Sequence, residues 1–251
     1  MKTRRLLPFL FVILFTSCAE MMQIAQQALD SETPLSQNEI TGGLKEALVT
    51  GTNNSVQILG SVDGYYKDDL VKIMLPPEAN TIVENANKIP GGKQLVEDVL
   101  LRINRAAEDA AREAGPIFVT GIKNMTITDA LGILNGENNA ATQYLHKTTY
   151  NQLFELYKPK IKSSVEKELV GGISTAESWD AMVGKWNKLA GSAAGKIVGL
   201  KPVDTQLEDY LTQKALDGLF LKIAEEEKLI RAEPAARVTA LLKKVFGTLD
   251  S

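Results

Sequence analysis

Between Lys93 and Ala114 the apolar side chains recur at helical spacing. Leu95, Val96, Val99, Leu100, Ile103, Ala106, Ala107, Ala110, Ala111 and Ala114 all fall within one half of a helical wheel. The far end of this stripe is alanine, the best helix former, and its small side chains let a second helix approach closely. A segment so patterned must be buried against other helices. Gly115-Pro116 is predicted to stop it and to start a new helix carrying Ile117, Phe118, Ile122 and Met125.

The rest of the chain follows the same logic. Ser36-Gln37-Asn38-Glu39 reads as a capping box opening a helix, followed by Ile40, Leu44, Ala47, Leu48, Gly51, Ser55 and Leu59 and ended at Gly60. Asp63-Gly64 marks a turn, and Leu70 to Leu75 reads as an extended connector stopped by Pro76-Pro77. Thr126 with Asp129 is expected to cap a short helix ending at Asn135-Gly136. Ala140 to Tyr157 forms another, which Pro159 continues through Val165. After Gly171-Gly172, a second capping box, Ser174 with Glu177, opens a helix carrying Trp179, Met182 and Trp186. Residues 190–203 are glycine-rich and read as an irregular linker. Thr205 to Arg231 reads as the longest helix, apolar on two faces (Leu216, Leu219, Phe220, Ile223 and Ile230 against Leu207, Leu211 and Leu229) and therefore central. Pro234 is expected to open the last helix, with Val238, Leu241, Leu242, Val245 and Phe246 buried. The expected fold is all-α, a single multi-helix domain over residues 35–251.

Residues Met1 to Cys18 carry a different message. Lys2, Arg4 and Arg5 precede a short apolar run, Leu6 to Phe15, which is the layout of a secretory signal. Ten apolar residues fall well short of the ~20 that span a bilayer. Leu14-Phe15-Thr16-Ser17-Cys18 resembles the lipobox of bacterial lipoproteins, with Phe15 bulkier than usual. The expectation is a signal peptide at 1–17 and a lipidated N-terminus and tether at 18–34, with acyl chains on Cys18 holding the protein on a membrane. Two or three chains make such attachment stable. Cys18 is the only cysteine, so no intramolecular disulfide forms. Within the tether, Met22, Ile24, Ala25, Ala28 and Leu29 make a weak helical patch that suits either the bilayer or the domain.

Charge limits the partners. Without Lys2, Arg4 and Arg5, the mature chain keeps 25 of the 28 basic residues against 31 acidic ones, about −6 net. A nucleic-acid binder needs the opposite sign, and the same balance argues against docking on anionic lipid by charge alone. The 44% hydrophobic and 24% charged residues describe an ordinary globular domain.

Eight segments, in order, resemble the bacterial family known as domain of unknown function 4197. They are GLKEAL (Gly43 to Leu48), LGSVDGYY (Leu59 to Tyr66), VKIMLP (Val71 to Pro76), INRAAEDA (Ile103 to Ala110), MTITDALGILNG (Met125 to Gly136), AATQYL (Ala140 to Leu145), KALDGLF (Lys214 to Phe220) and ARVTALLKKVFG (Ala236 to Gly247). The resemblance is weakest across Trp179 to Gly199. It implies an all-helical envelope protein, often lipid-anchored, and no known activity.

Candidate chemistry is sparse. His146, the sole histidine, shares a helix face with Tyr150, Leu153 and Tyr157. This is either an aromatic-lined ligand face or an ordinary packed face with one polar member. No second histidine or cysteine completes a metal site of ordinary ligand type. Asn104, Arg105 and Glu108 form either a polar ligand site at a helix seam or a solvated, salt-bridged face, and Glu108–Arg112 and Asp98–Arg102 are the expected ion pairs. Lys214 and Asp217 lie on one edge of the Thr205–Arg231 helix, as a structural pair or as part of a cleft. Glu225-Glu226-Glu227 reads as a solvated charge run. No phosphate loop, nucleophile elbow or calcium loop occurs. The expectation is an exported, outer-membrane rather than inner-membrane lipoprotein facing the periplasm. It would be a non-enzymatic binding or scaffold domain for an envelope protein partner or an apolar ligand, with no cofactor. The alternatives are an envelope hydrolase using paired carboxylates or a carrier of an apolar ligand.

Overall fold

The computed structural model describes residues 34–88 and 91–250. Cys18, the signal and nearly all of the tether lie outside the described residues. Among the described residues, nine helices and several single 3-10 turns account for the secondary structure, and there is no strand, only an isolated bridge between Val170 and Ile173 around Gly171 and Gly172. None of the described helices is long and apolar enough to cross a membrane.

Four long helices make the core: α1 (Gln37–Leu59), α3 (Gly92–Asn124), α5 (Ala140–Glu166) and α8 (Leu207–Ala232). They pack in a ring, α1 on α3, α3 on α5, α5 on α8, and α8 back on α1. The stripes predicted for α1, α3 and α8 are buried, and α5 adds an apolar face of its own. Leu44, Leu48 and Leu59 of α1, Leu145, Leu153 and Ile161 of α5, and Leu216, Leu219 and Ile223 of α8 are at most 1% exposed. Ala106, Ala107, Ala110, Ala111 and Ala114 are fully buried on α3, as its alanine stripe requires. Four short helices complete the set: α2 (Asn80–Glu84), α4 (Ala130–Leu134), α7 (Ala193–Ile197) and α9 (Ala240–Phe246). The remaining helix, α6 (Thr175–Gly191), packs on α3 and α5 and starts with the predicted capping box, in which Ser174 and Glu177 bond reciprocally.

Several boundaries differ from the sequence reading, each for a physical reason. Gly115-Pro116 does not stop α3, and Pro159 does not divide α5. Both prolines sit on the exposed side of their helices, where the carbonyl each leaves unpaired faces water. Phe118 and Ile122 continue the buried face of α3, and their burial, about 1.5–3 kcal/mol each, outweighs the missing bond. The short α4 is capped by Asp129 itself, whose carboxylate accepts from the Gly132 amide, not by Thr126. Ser192 caps a real helix, α7, inside the expected linker. The longest helix is the 33-residue α3, not α8. Leu229 is exposed on α8, and Val238 is exposed because the chain breaks after the 234–236 turn, with Thr239 capping the separate α9. That helix presses Val245 against Gly43, where an added Cβ would lie 2.7 Å from the valine.

Candidate functional site

The exposed face of α8 carries Tyr210, Lys214, Asp217, Leu221, Ala224 and Lys228 at successive spacings of four and three, one stripe along the helix. Three adjoining cavities of 440, 390 and 530 Å³ open along it, and Leu221 lines all three. Together they make a shallow groove. Its first wall is the connector Leu70 to Met74; its second is the 137–139 loop with the first turns of α5, including Gln143 and His146. Leu70, Met74 and Leu221 expose apolar surface to it, 68%, 58% and 39% respectively.

The first wall is irregular backbone, and buried side chains of α3 fasten it. Asn104, fully buried, accepts from the Ile73 amide at 2.9 Å and donates to the Ile73 carbonyl at 2.8 Å, completing what a neighbouring strand would supply. Glu108, 2% exposed, accepts from the Tyr65 and Tyr66 amides at 3.2 and 3.1 Å. Arg105 bridges Glu108 to Asp63, at 2.6 Å on each side, and Asp63 holds a left-handed turn at φ 69°. Hydrogen bonds from Lys67 and then Arg105 hold the Asp63 carboxyl below its ordinary range. Further bonds join the connector to α8: Tyr65 donates to the Ala215 carbonyl at 2.8 Å, Tyr210 donates to that of Met74 at 3.0 Å, and Lys222 pairs with Asp68 at 2.7 Å. Burial raises Asp68, but the Lys222 and Leu70 bonds outweigh it and the carboxyl sits low. Gly218 is what lets Tyr65 lie on α8, since a Cβ there would meet the ring at 2.7 Å.

The second wall is set by a buried charge cluster. Glu227, fully buried, accepts from the Ala141 and Thr142 amides at 3.0 and 2.7 Å and from the Thr142 hydroxyl at 2.6 Å. A carboxylate in the first turn of a helix completes orphan amides and opposes the dipole. Arg231 pairs with Glu227 at 2.8 Å and donates to the Leu134 and Ile133 carbonyls at the end of α4. Arg237 donates to the last carbonyls of α8, Ile230 and Arg231, and to Asp250.

Among the residues singled out from sequence, Lys214, Asp217 and His146 meet in the groove. Lys214 and Asp217 pair at 3.4 Å with both side chains 43% exposed. His146 is exposed, its ring centroid 4.6 Å from that of Tyr150 and 4.7 Å from that of Phe220, the latter pair in a T-shaped arrangement. Burial, and then the charge of Asp217, raise the Tyr150 phenol. Tyr157 belongs to the core instead, fully buried, and burial pushes its phenol far up. Asn104 and Glu108 lie beneath the connector and present their polar atoms to its backbone, while Arg105 bonds the Glu108 and Asp63 carboxylates. The expected pairs Glu108–Arg112 and Asp98–Arg102 do not form. Glu108 takes Arg105, and Arg102 donates to the Val170 and Ile173 carbonyls around the glycine turn. Arg112 caps α1 through the Gly60 carbonyl. Of the expected solvated run, Glu227 is buried. Its place in the series Leu216, Leu219, Phe220, Ile223, Glu227, Ile230 is the sequence signal, with Arg231 four residues on. Among the described residues no three His, Cys, Asp or Glu side chains converge as a metal site.

Fold and groove together define a class: an all-α single-domain protein with an open, mixed apolar and ionic groove along one helix. No curated protein and no solved structure matches the chain. The family model described as protein of unknown function (DUF4197) matches residues 34–247, and the chain belongs to that family.

Proposed function

We propose that the chain is a bacterial envelope lipoprotein, exported by residues 1–17 and held by acyl chains on Cys18. In this reading residues 18–34 are its tether, it faces the periplasm from the outer membrane, and its helical domain is a non-enzymatic binding module for an envelope protein. The observation that carries the binding reading is the groove along α8. Leu70, Met74 and Leu221 offer apolar contact, while Lys214, Asp217 and Lys228 give a charged rim. That mixture of apolar centre and polar edge suits a protein partner. The position of Asp217 supports this over a hydrolase with paired carboxylates, because its neighbour at 3.4 Å is an ammonium. The groove is open along its length, which suits a partner surface better than the carriage of an apolar ligand.

Two measurements test the two halves. Intact mass of protein extracted from native membranes is expected to show a chain starting at Cys18 with two or three acyl chains, absent from Cys18→Ser; unacylated, freely soluble wild type would overturn the anchor. Photo-crosslinking residues placed at 214 and 221 in living cells are expected to give one discrete adduct, and the same probe at Leu156, exposed elsewhere on α5, to give none. Equal labelling from all three positions would overturn the groove.

A further inference from the structure

Residues 181–203 carry Lys185, Lys188, Lys196 and Lys201 and no acidic residue, in a chain where acidic residues outnumber basic ones 31 to 28. All four lysines are exposed. Among the described residues none of them pairs with a carboxylate. At the tip of this stretch Ile197 and Val198 are 85% and 70% exposed. Single exposed apolar residues are ordinary; an adjacent pair this exposed inside an acid-free basic segment is not.

The tip is well built. Ser192 accepts from the Gly195 amide at 3.0 Å and opens α7. At the other end Leu200 donates to the Gly195 carbonyl at 2.9 Å and Gly199 to that of Lys196 at 3.2 Å, with Gly199 left-handed at φ 74°. This is a Schellman closure, which completes the helix-end carbonyls without using side chains. The returning chain is then fixed to α6. Trp186 donates to the Lys201 carbonyl at 2.8 Å, and Asn187 bonds both the amide and the carbonyl of Val203. Those bonds bring Lys201 back beside the turn that holds Lys185 and Lys188. Ile197 and Val198 therefore project from a closed turn with its backbone satisfied.

We propose that this tip is a contact site for an anionic phospholipid bilayer, with Ile197 and Val198 entering the headgroup boundary and the four lysines on lipid phosphates. Interfacial contact of this kind combines apolar burial with attraction to anionic lipid. Asp180, Asp204 and Glu208 gather at the base of the stretch around Asn187 and Val203, while acids farther than a Debye length, ~8 Å at physiological salt, are largely screened from the surface. The sum is weak, and becomes effective when the domain is already held at a membrane. That setting rests on the anchored reading above, so the experiment is done without the anchor and the two fail separately.

The test is sedimentation of the unacylated mature chain (residues 18–251 with Cys18→Ser) with vesicles of phosphatidylcholine, alone or with three parts in ten phosphatidylglycerol. Binding is expected only with phosphatidylglycerol. Ile197→Asp with Val198→Asp should weaken it at least tenfold. Lys196→Gln with Lys201→Gln should weaken it about fivefold per lysine. Val238→Asp, on an equally exposed site, should leave it unchanged. Far-UV circular dichroism checks folding, with Ile197→Ser and Val198→Ser as milder replacements if the aspartates unfold the chain. Binding that ignores phosphatidylglycerol, or tip variants that bind like wild type, would overturn the proposal. So would sedimentation velocity showing a wild-type dimer that the tip variants dissolve, since the partner would then be a second copy.

Discussion

Two buried carboxylates, Glu227 and Glu108, hold the two walls of the groove in different ways. Glu227 is sealed: its donors come from the first turn of α5, and its guanidinium partner, Arg231, is 4% exposed and spends its other bonds on carbonyls of α4. Glu108 is buried, but its partner Arg105 is 21% exposed and leads outward to Asp63 at the surface. The first clamp joins helix to helix through the core. The second joins a helix to irregular backbone through a partly wet chain of charges. Removing the first should therefore damage the whole domain, and removing the second should loosen one wall.

Glu227→Ala separates the two most sharply. It leaves Arg231 buried without its charge partner, which costs about 3–5 kcal/mol, and urea denaturation should show that loss. A cost below about 1 kcal/mol would mean that the pair is solvated and the contrast is false. Gly218→Ala comes next. In an exposed helix the change gains up to about 1 kcal/mol, but here the Cβ meets the Tyr65 ring, so a loss of about 1–3 kcal/mol is expected. Calorimetry decides the sign. Asn104→Ala leaves the Ile73 amide and carbonyl unpaired at about 1–3 kcal/mol, and hydrogen exchange should rise at 70–74 well before it rises in α5. Uniform acceleration would show that the first wall is not an independent unit.

The acid limb of stability gives a finer test. Asp63, Asp68 and Asp109 all titrate below their ordinary value of 3.8 in the folded protein. Asp63 is lowered by Lys67 and Arg105, while Asp109 is raised by burial and lowered more by Lys167 and Ser164. Groups whose folded value is depressed stabilise the protein above their unfolded value, and that contribution fades as pH falls through the folded one. Stability should therefore be flat near neutrality and decline below about pH 4, and Asp63→Asn should shrink the decline. A variant with the wild-type acid profile would remove Asp63 from the second clamp. The smallest effect belongs to Lys214→Gln, an exposed pair worth under about 0.5 kcal/mol; thermal melts should barely move.

What the sequence disclosed follows from the range of the interactions. The stripes of α1, α3 and α8 repeat at local spacing, so their burial was legible, as were the Ser174 capping box and the turns at Asp63 and Gly171. Lys214 and Asp217 were placed on one edge by their three-residue spacing. The walls of the groove were not legible, because Asn104 reaches Ile73, 31 residues away, and Glu227 reaches Thr142, 85 residues away. No periodicity within one helix encodes such partners. Pro116 misled for a related reason: its local cost is visible in the sequence, whereas the neighbours that bury Phe118 and Ile122 are not. The run at 225–227 misled because charge was read ahead of position; the spacing from Ile223 to Ile230 already put Glu227 inward.

The order in which the ring closes has a consequence for synthesis. Both α8 and α9 pack on α1, and Lys244 reaches Glu39 across 205 residues. Until residues 240–246 have emerged, the first helix of the domain can pack on α3 but lacks the surfaces that α8 and α9 supply. Pairings between such distant segments form slowly because a long loop must close before they are rewarded. A nascent chain of this design completes the packing around its first helix only once its last helices are free.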